Sequence, residues 1–161
     1  MQNIGIFGLA KTPFTRECSP SEQIKWPFIE DEVDKLLRVV KSRMSAALTA
    51  PAGAGKTVAL RSLASKLPEA SYKVSYIKVT SLSKRDMCRE IAVAVGAKSA
   101  GTFPSLVRAV QERLDTDLVH EGRRPVLLID EAHDMRPETL AMLRILTLDS
   151  KRGNDSDLTI R

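Results

Sequence analysis

Eight consecutive residues, Ala50-Pro51-Ala52-Gly53-Ala54-Gly55-Lys56-Thr57, carry the most chemistry in this chain. Glycines at 53 and 55 let successive backbone N–H groups turn inward around phosphate oxygens, and a helix beginning at Lys56 adds the positive end of its dipole. Lys56 brings a mobile ammonium to the β and γ phosphates of a nucleotide, and Thr57 offers a hydroxyl to magnesium. The residues expected to line a bound nucleotide are therefore Pro51, Ala52, Gly53, Ala54, Gly55, Lys56, Thr57 and Val58. The strict phosphate-loop pattern opens on glycine, where this chain has Ala50. That position marks the exit of a strand more than it touches phosphate.

A second constellation is Val126-Leu127-Leu128-Ile129 followed by Asp130-Glu131, with Asp130 lying 74 positions beyond Lys56. Four apolar residues read as a strand buried on both faces of a parallel sheet. Two carboxylates at its C-terminal end need partners or solvent, and in a parallel sheet that edge is where the ligand crevice opens. Asp130 would hold the magnesium, directly or through water. Glu131 would orient and deprotonate the attacking water as the catalytic residue.

The elements that must position these residues follow from periodicity. Residues 1–44 read as an approach segment and a helix, and 45–161 as the nucleotide-binding core. Up to Phe28 the chain shows neither a 2.0 nor a 3.6 period, and Trp26 and Phe28 are expected to anchor it to the core, although either could pack on adenine. Ile29, Val33, Leu36, Leu37, Val40 and Met44 recur at helical spacing behind the acidic Glu30, Asp31, Glu32 and Asp34. Ser45–Thr49 is expected to be a short strand leading into the loop, and Lys56–Leu67 a helix ended by Pro68. Lys73–Val79 is β-rich. Ser83 with Asp86 marks a helix start whose apolar face, Met87, Ile91, Ala94 and Val95, ends at Gly96. Thr102–His120 is a further helix, and Pro137 opens a last one carried by Leu140, Leu143, Ile145, Leu146 and Leu148. Strands alternating with helices predict an α/β fold, a parallel sheet with helices on both faces.

Composition narrows the function classes. A chain of 161 residues with 43% apolar content holds one domain with a core of its own. Cys18 and Cys88 form no CxxC pair, so neither a zinc knuckle nor a redox pair is written here, and both are expected to be reduced thiols in a cytoplasmic protein. No apolar run approaches the length of a membrane span, and neither a span nor a signal peptide is expected. The formal charge is +5, and thirteen of the 25 basic residues lie in positions 49–125 against seven acidic ones. That excess suits a polyanion without demanding one.

With Gly53-Ala54-Gly55-Lys56-Thr57 and Leu127-Leu128-Ile129-Asp130-Glu131-Ala132-His133, the sequence resembles AAA+ ATPases of the ExeA type. That group of P-loop NTPases includes ATP-dependent transposition helpers of the phage Mu B kind. The resemblance covers about 150 residues. It takes in Ile6-Phe7-Gly8-Leu9 with Pro13-Phe14, the stretch from Lys84-Arg85-Asp86 through Arg89-Glu90-Ile91 to Gly96, and Leu140–Leu146. It implies ATP and Mg2+ as ligands, with Thr57 and Asp130 on the metal. It also places Ile29–Leu37 where a short element helps enclose adenine. Such a module continues with a sensor strand, an arginine reaching a neighbouring subunit and a helical lid. The sequence ends at Asp157-Leu158-Thr159-Ile160-Arg161, where the sensor strand would start. The core is therefore expected to be incomplete at its C-terminal end, with an exposed sheet edge and impaired hydrolysis unless the missing part or neighbouring subunits complete it.

The resemblance implies as first function a transposition helper that binds double-stranded DNA in an ATP-dependent way, serves a transposase and could form homo-oligomers. The alternatives are a secretion-associated ATPase that needs no DNA, or a nucleotide-binding fragment defective in hydrolysis. Lys84, Arg85 and Arg89 could meet DNA phosphates or form a solvated helical face. His133 is read as a helix-start residue near the nucleotide, His120 as a solvent-facing helix end, and Arg123-Arg124 as a loop.

Overall fold

The computed structural model describes residues 26–78, 83–98, 100–148 and 159–160. Residues 1–25, with Ile6–Leu9, Pro13-Phe14 and Cys18, lie outside the described residues, as do Val79 and Asp157-Leu158. In chain order the elements are α1 (Pro27–Lys41), α2 (Lys56–Lys66), β1 (Tyr72–Lys78), α3 (Lys84–Val95), α4 (Phe103–Val119), β2 (Arg124–Asp130), a 3-10 turn (Ala132–Asp134), α5 (Pro137–Leu148) and β3 (Thr159–Ile160).

The three strands are parallel, in the order β1-β2-β3. Tyr72 lies opposite Arg124 and the register runs on to Lys78 opposite Asp130, so β1 and β2 end together at one sheet edge. Thr159 and Ile160 pair with Val126 and Leu127 on the other side of β2.

Side-chain alternation along β2 divides the core in two. Leu127 and Ile129 face α3, α4 and α5, where Met87, Ile91, Leu106, Val110, Met142 and Leu146 are buried. Val126 and Leu128 face α1 and α2, packing with Val33, Val40, Ala59, Leu60 and Leu63. An apolar run with no polar face is thus what a strand covered by helices on both sides requires, as the sequence predicts.

Helix ends follow local chemistry. Ser83 is the N-cap of α3, its hydroxyl accepting from the Asp86 N–H at 3.2 Å, and Gly96 closes the helix in the left-handed region at φ 75°. Thr102 caps α4, and Pro104 sits in its first turn, where a missing N–H is tolerated. α1 stops at Lys41 because Arg43 turns left-handed at φ 57°. Met44, expected on the buried face of that helix, consequently falls off it and is 57% exposed.

Four further expectations need correction. Ser45–Thr49 is not laddered as a strand: β2 is flanked by β1 and β3, which leaves this segment no edge of β2 to pair with, and it contributes only Leu48 to the α1–α2 core. Trp26 and Phe28 do not anchor to the core. Both are more than half exposed, and their rings lie 6.4 Å apart against each other at the start of α1. Leu140 points outward because Thr139, Met142, Leu143 and Leu146 already fill the inner face of α5; the side chains of Ile145 and Leu148 lie outside the described ones. Arg124 is the first residue of β2 rather than a loop residue, its N–H donating to the Ser71 carbonyl at 2.8 Å.

Candidate functional site

The loop Ala50–Gly55 enters α2 through two left-handed glycines, Gly53 at φ 79° and Gly55 at φ 90°. At Gly55 the lack of a side chain is required twice over. A Cβ there would be strained by the backbone, and it would sit 3.0 Å from Cδ1 of Ile29, so α1 packs directly on the loop. As N-cap, Gly55 offers no side-chain acceptor, and the first turn of α2 carries no acid. The N–H groups that open this helix therefore keep their capacity for an anion.

Lys56 folds back over the same loop, its Nζ donating to the carbonyls of Ala50 at 2.9 Å and Pro51 at 3.0 Å. The ammonium is thereby held above the concave side of the turn. Pro51, Ala52, Gly53 and Ala54 are exposed along the loop, whereas Gly55, Lys56, Thr57 and Val58 are half-buried as the helix enters the core.

Across 73 positions of sequence the two motifs meet in one hydrogen bond: Thr57 Oγ1 donates to Asp130 Oδ2 at 2.8 Å. The contact follows from the fold. α2 packs on the β2 face that carries Val126 and Leu128, and Asp130 is the next residue on that face. Asp130 is only 5% exposed, yet three donors reach it: Thr57, the Tyr76 phenol at 2.5 Å and the Glu131 N–H at 3.0 Å. Burial by itself would raise its pKa. Hydrogen bonds from Tyr76, Thr57 and the Glu131 backbone, with the positive charge of Lys78 opposite it on β1, outweigh burial and hold the carboxyl below its usual range. Asp130 is thus kept ionised. The same neighbourhood raises the Tyr76 phenol, through burial first and then its bond to the Asp130 anion, against the opposing effect of Arg61.

Glu131 leaves the strand at φ 59°, a left-handed conformation that costs a residue with a Cβ about 1–2 kcal/mol. The turn separates its carboxylate from that of Asp130 and leaves it 35% exposed at the sheet edge, with His133 Nδ1 3.4 Å away. His133 is 71% exposed and also approaches Asp134, so it sits in the 3-10 turn beside Glu131. The structure therefore joins Thr57, at the end of the Ala50–Lys56 loop, to Asp130, with Glu131 the next residue beyond the strand.

Magnesium fits these donors. An anionic carboxylate and a hydroxyl are hard oxygen ligands, and no group of three His, Cys, Asp or Glu side chains suited to a metal occurs among the described residues. A single carboxylate shared with substrate phosphates is how proteins commonly hold Mg2+. Thr57 and Asp130 would hold it; when bound, the ion would neutralise phosphate charge.

The basic residues expected to meet DNA are each engaged locally. Lys84 lies 4.7 Å over the Phe103 ring, Arg85 donates to the Gly101 carbonyl at 2.5 Å, and Arg89 pairs with Asp86 at 3.1 Å. His120 is the exposed C-cap of α4, and Arg123 bonds to Glu121. Sequence reasoning did not single out Tyr76. The signal was available in retrospect: with β1 and β2 in parallel register, an aromatic hydroxyl two residues before the end of β1 lies on the same face as the acid that ends β2.

A sequence model of the family described as AAA domain matches residues 38–160. The chain belongs to this family of ATP-binding P-loop ATPases. It is also 30% identical, over 151 residues, to General secretion pathway protein A of Aeromonas hydrophila; the match covers 88% of this chain and 26% of that protein. The chain thus spans about a quarter of its relative's length. No helix among the described residues is long and apolar enough to cross a membrane.

Proposed function

We propose that the chain binds magnesium–ATP on the Ala50–Val58 loop and hydrolyses it as the motor of a secretion-associated ATPase. The carrying observation is the Thr57–Asp130 hydrogen bond, which joins the phosphate-loop hydroxyl to the strand-end carboxylate across 73 positions of sequence. Lys56, at present on its own loop carbonyls, would exchange them for phosphate oxygens. Glu131, half-exposed and turned away from Asp130, would orient a water and take its proton. The likeness to General secretion pathway protein A supports the secretion setting.

A second reading, a transposition helper that binds double-stranded DNA and serves a transposase, is favoured by the basic excess in positions 49–125. DNA would have to draw Lys84, Arg85 and Arg89 from their present partners. The test is ATP binding and hydrolysis with and without duplex DNA over a salt series, since phosphate-driven affinity is strongest at low salt. The secretion reading expects ATP-dependent activity indifferent to DNA at every salt concentration. ATP-dependent DNA binding that weakens steeply as salt rises would overturn it in favour of transposition.

A further inference from the structure

A carboxylate has about four acceptor positions. Three of those on Asp130 are filled by the protein itself: Thr57 and Tyr76 both donate to Oδ2, at 2.8 and 2.5 Å, and the Glu131 N–H donates to Oδ1 at 3.0 Å. Oδ2 therefore has both lone pairs engaged. Thr57 is explained by its place in the phosphate loop, but nothing in nucleotide binding calls for Tyr76. Its backbone pairs with Leu128, and its ring spans diagonally to Asp130 on the same sheet face, with Arg61 of α2 beside the hydroxyl.

We propose, on the magnesium–ATP reading above, that Tyr76 is a positioning residue that commits Asp130 Oδ2 to protein hydroxyls and so restrains how tightly this carboxylate takes a divalent cation. A hard cation that binds through Oδ2 competes with the phenol O–H for the same lone pair, and only one position, on Oδ1, is open to the ion without that competition. The carboxylate is 5% exposed but Tyr76 is 37% exposed, so water can take the place of the phenol where it is removed, and a cation displaces a mobile water more readily than a hydroxyl held by its ring. The restraint suits a site that must release its metal with the spent nucleotide.

Tyr76→Phe tests this, because the ring and its packing remain and only the hydroxyl is lost. The net value of one hydrogen bond corresponds to about 3- to 10-fold in a binding constant. Mn2+ is titrated into wild type and variant without nucleotide, with free Mn2+ read by electron paramagnetic resonance. ATP binding is then measured against Mg2+ concentration, and again in EDTA, with thermal melting as the folding check. The expected result is a half-saturating cation concentration about 3- to 10-fold lower in Tyr76→Phe, with metal-free ATP affinity unchanged. Unchanged or weakened cation binding in the folded variant overturns the proposal, and so does a wild type that takes up no cation. A wild type that takes up Mn2+ with the predicted variant shift but binds no ATP would leave the role of Tyr76 standing and remove the ATP reading.

Discussion

Replacing Gly55 with Ala probes the join between the loop and α1. The backbone at φ 90° is strained for any residue with a Cβ, at about 1–2 kcal/mol. The added methyl would also meet Ile29 Cδ1 at 3.0 Å. That atom is the far end of a flexible, half-buried side chain, so it yields by a few tenths of an ångström and the backbone term dominates. For a chain of this size 1–2 kcal/mol corresponds to a fall of about 2–8 °C in Tm. Two other glycines calibrate the result. Gly53→Ala carries the same backbone strain, at φ 79°, but meets nothing within 4 Å, and Gly101→Ala has neither strain nor contact. Thermal melting should therefore rank Gly101→Ala nearest wild type, Gly53→Ala below it and Gly55→Ala lowest, and the loss from Gly55→Ala should be smaller in an Ile29→Ala background than in wild type. Equal melting temperatures for Gly55→Ala and Gly53→Ala would refute the packing of α1 on the loop as described, since the two share the backbone strain and differ in the Ile29 contact.

Glu131→Gln should keep ATP affinity within about 2-fold while hydrolysis falls by about 10²–10⁴, the usual contribution of a general base; a parallel loss of binding would show that Glu131 serves structure rather than chemistry. Ser83→Ala should lower stability by about 1 kcal/mol in chemical denaturation, since it removes the hydroxyl acceptor that caps α3. The Cys88 thiol is buried, and burial pushes its pKa up to about 11, so in a Cys18→Ser background its labelling by a thiol reagent at pH 8 should be slow until the protein is denatured. Because the folded pKa lies above the unfolded value of about 8.5, the stability that Cys88 contributes is complete below that pH and declines as pH rises toward the folded value. Equal labelling rates for folded and denatured protein would contradict this.

Sequence periodicity identified the five helices and the two longer strands because each has an apolar face that only one arrangement buries. The all-apolar Val126–Ile129 run announced a strand with two covered faces, and the capping chemistry of Ser83 and Gly96 fixed both ends of α3. Residues 45–49 misled because a strand depends on a neighbour to ladder with, and local pattern carries no information about that neighbour. Trp26 and Phe28 misled for a similar reason: aromatic character favours burial but does not supply a surface to bury against. At the candidate site, residue type and spacing proposed Lys56, Thr57, Asp130 and Glu131, of which the structure joins Thr57 to Asp130. Tyr76 could not be named in this way, since its role arises from a register between strands more than forty positions apart. The left-handed turn at Glu131 was equally hidden, because residue type rarely signals a positive φ outside glycine and asparagine.

The most direct measurement is calorimetric titration of ATP into the wild type and Lys56→Ala, with and without Mg2+. Lys56 should exchange two carbonyl hydrogen bonds for charged phosphate contacts, and Thr57 and Asp130 should make the affinity depend on the cation. Wild type should bind ATP more tightly with Mg2+ than without, and Lys56→Ala should lose about 10-fold or more, the value of a charge-assisted hydrogen bond. Equal ATP affinity in the two proteins, with no response to Mg2+, would contradict the assignment of this loop as the nucleotide site.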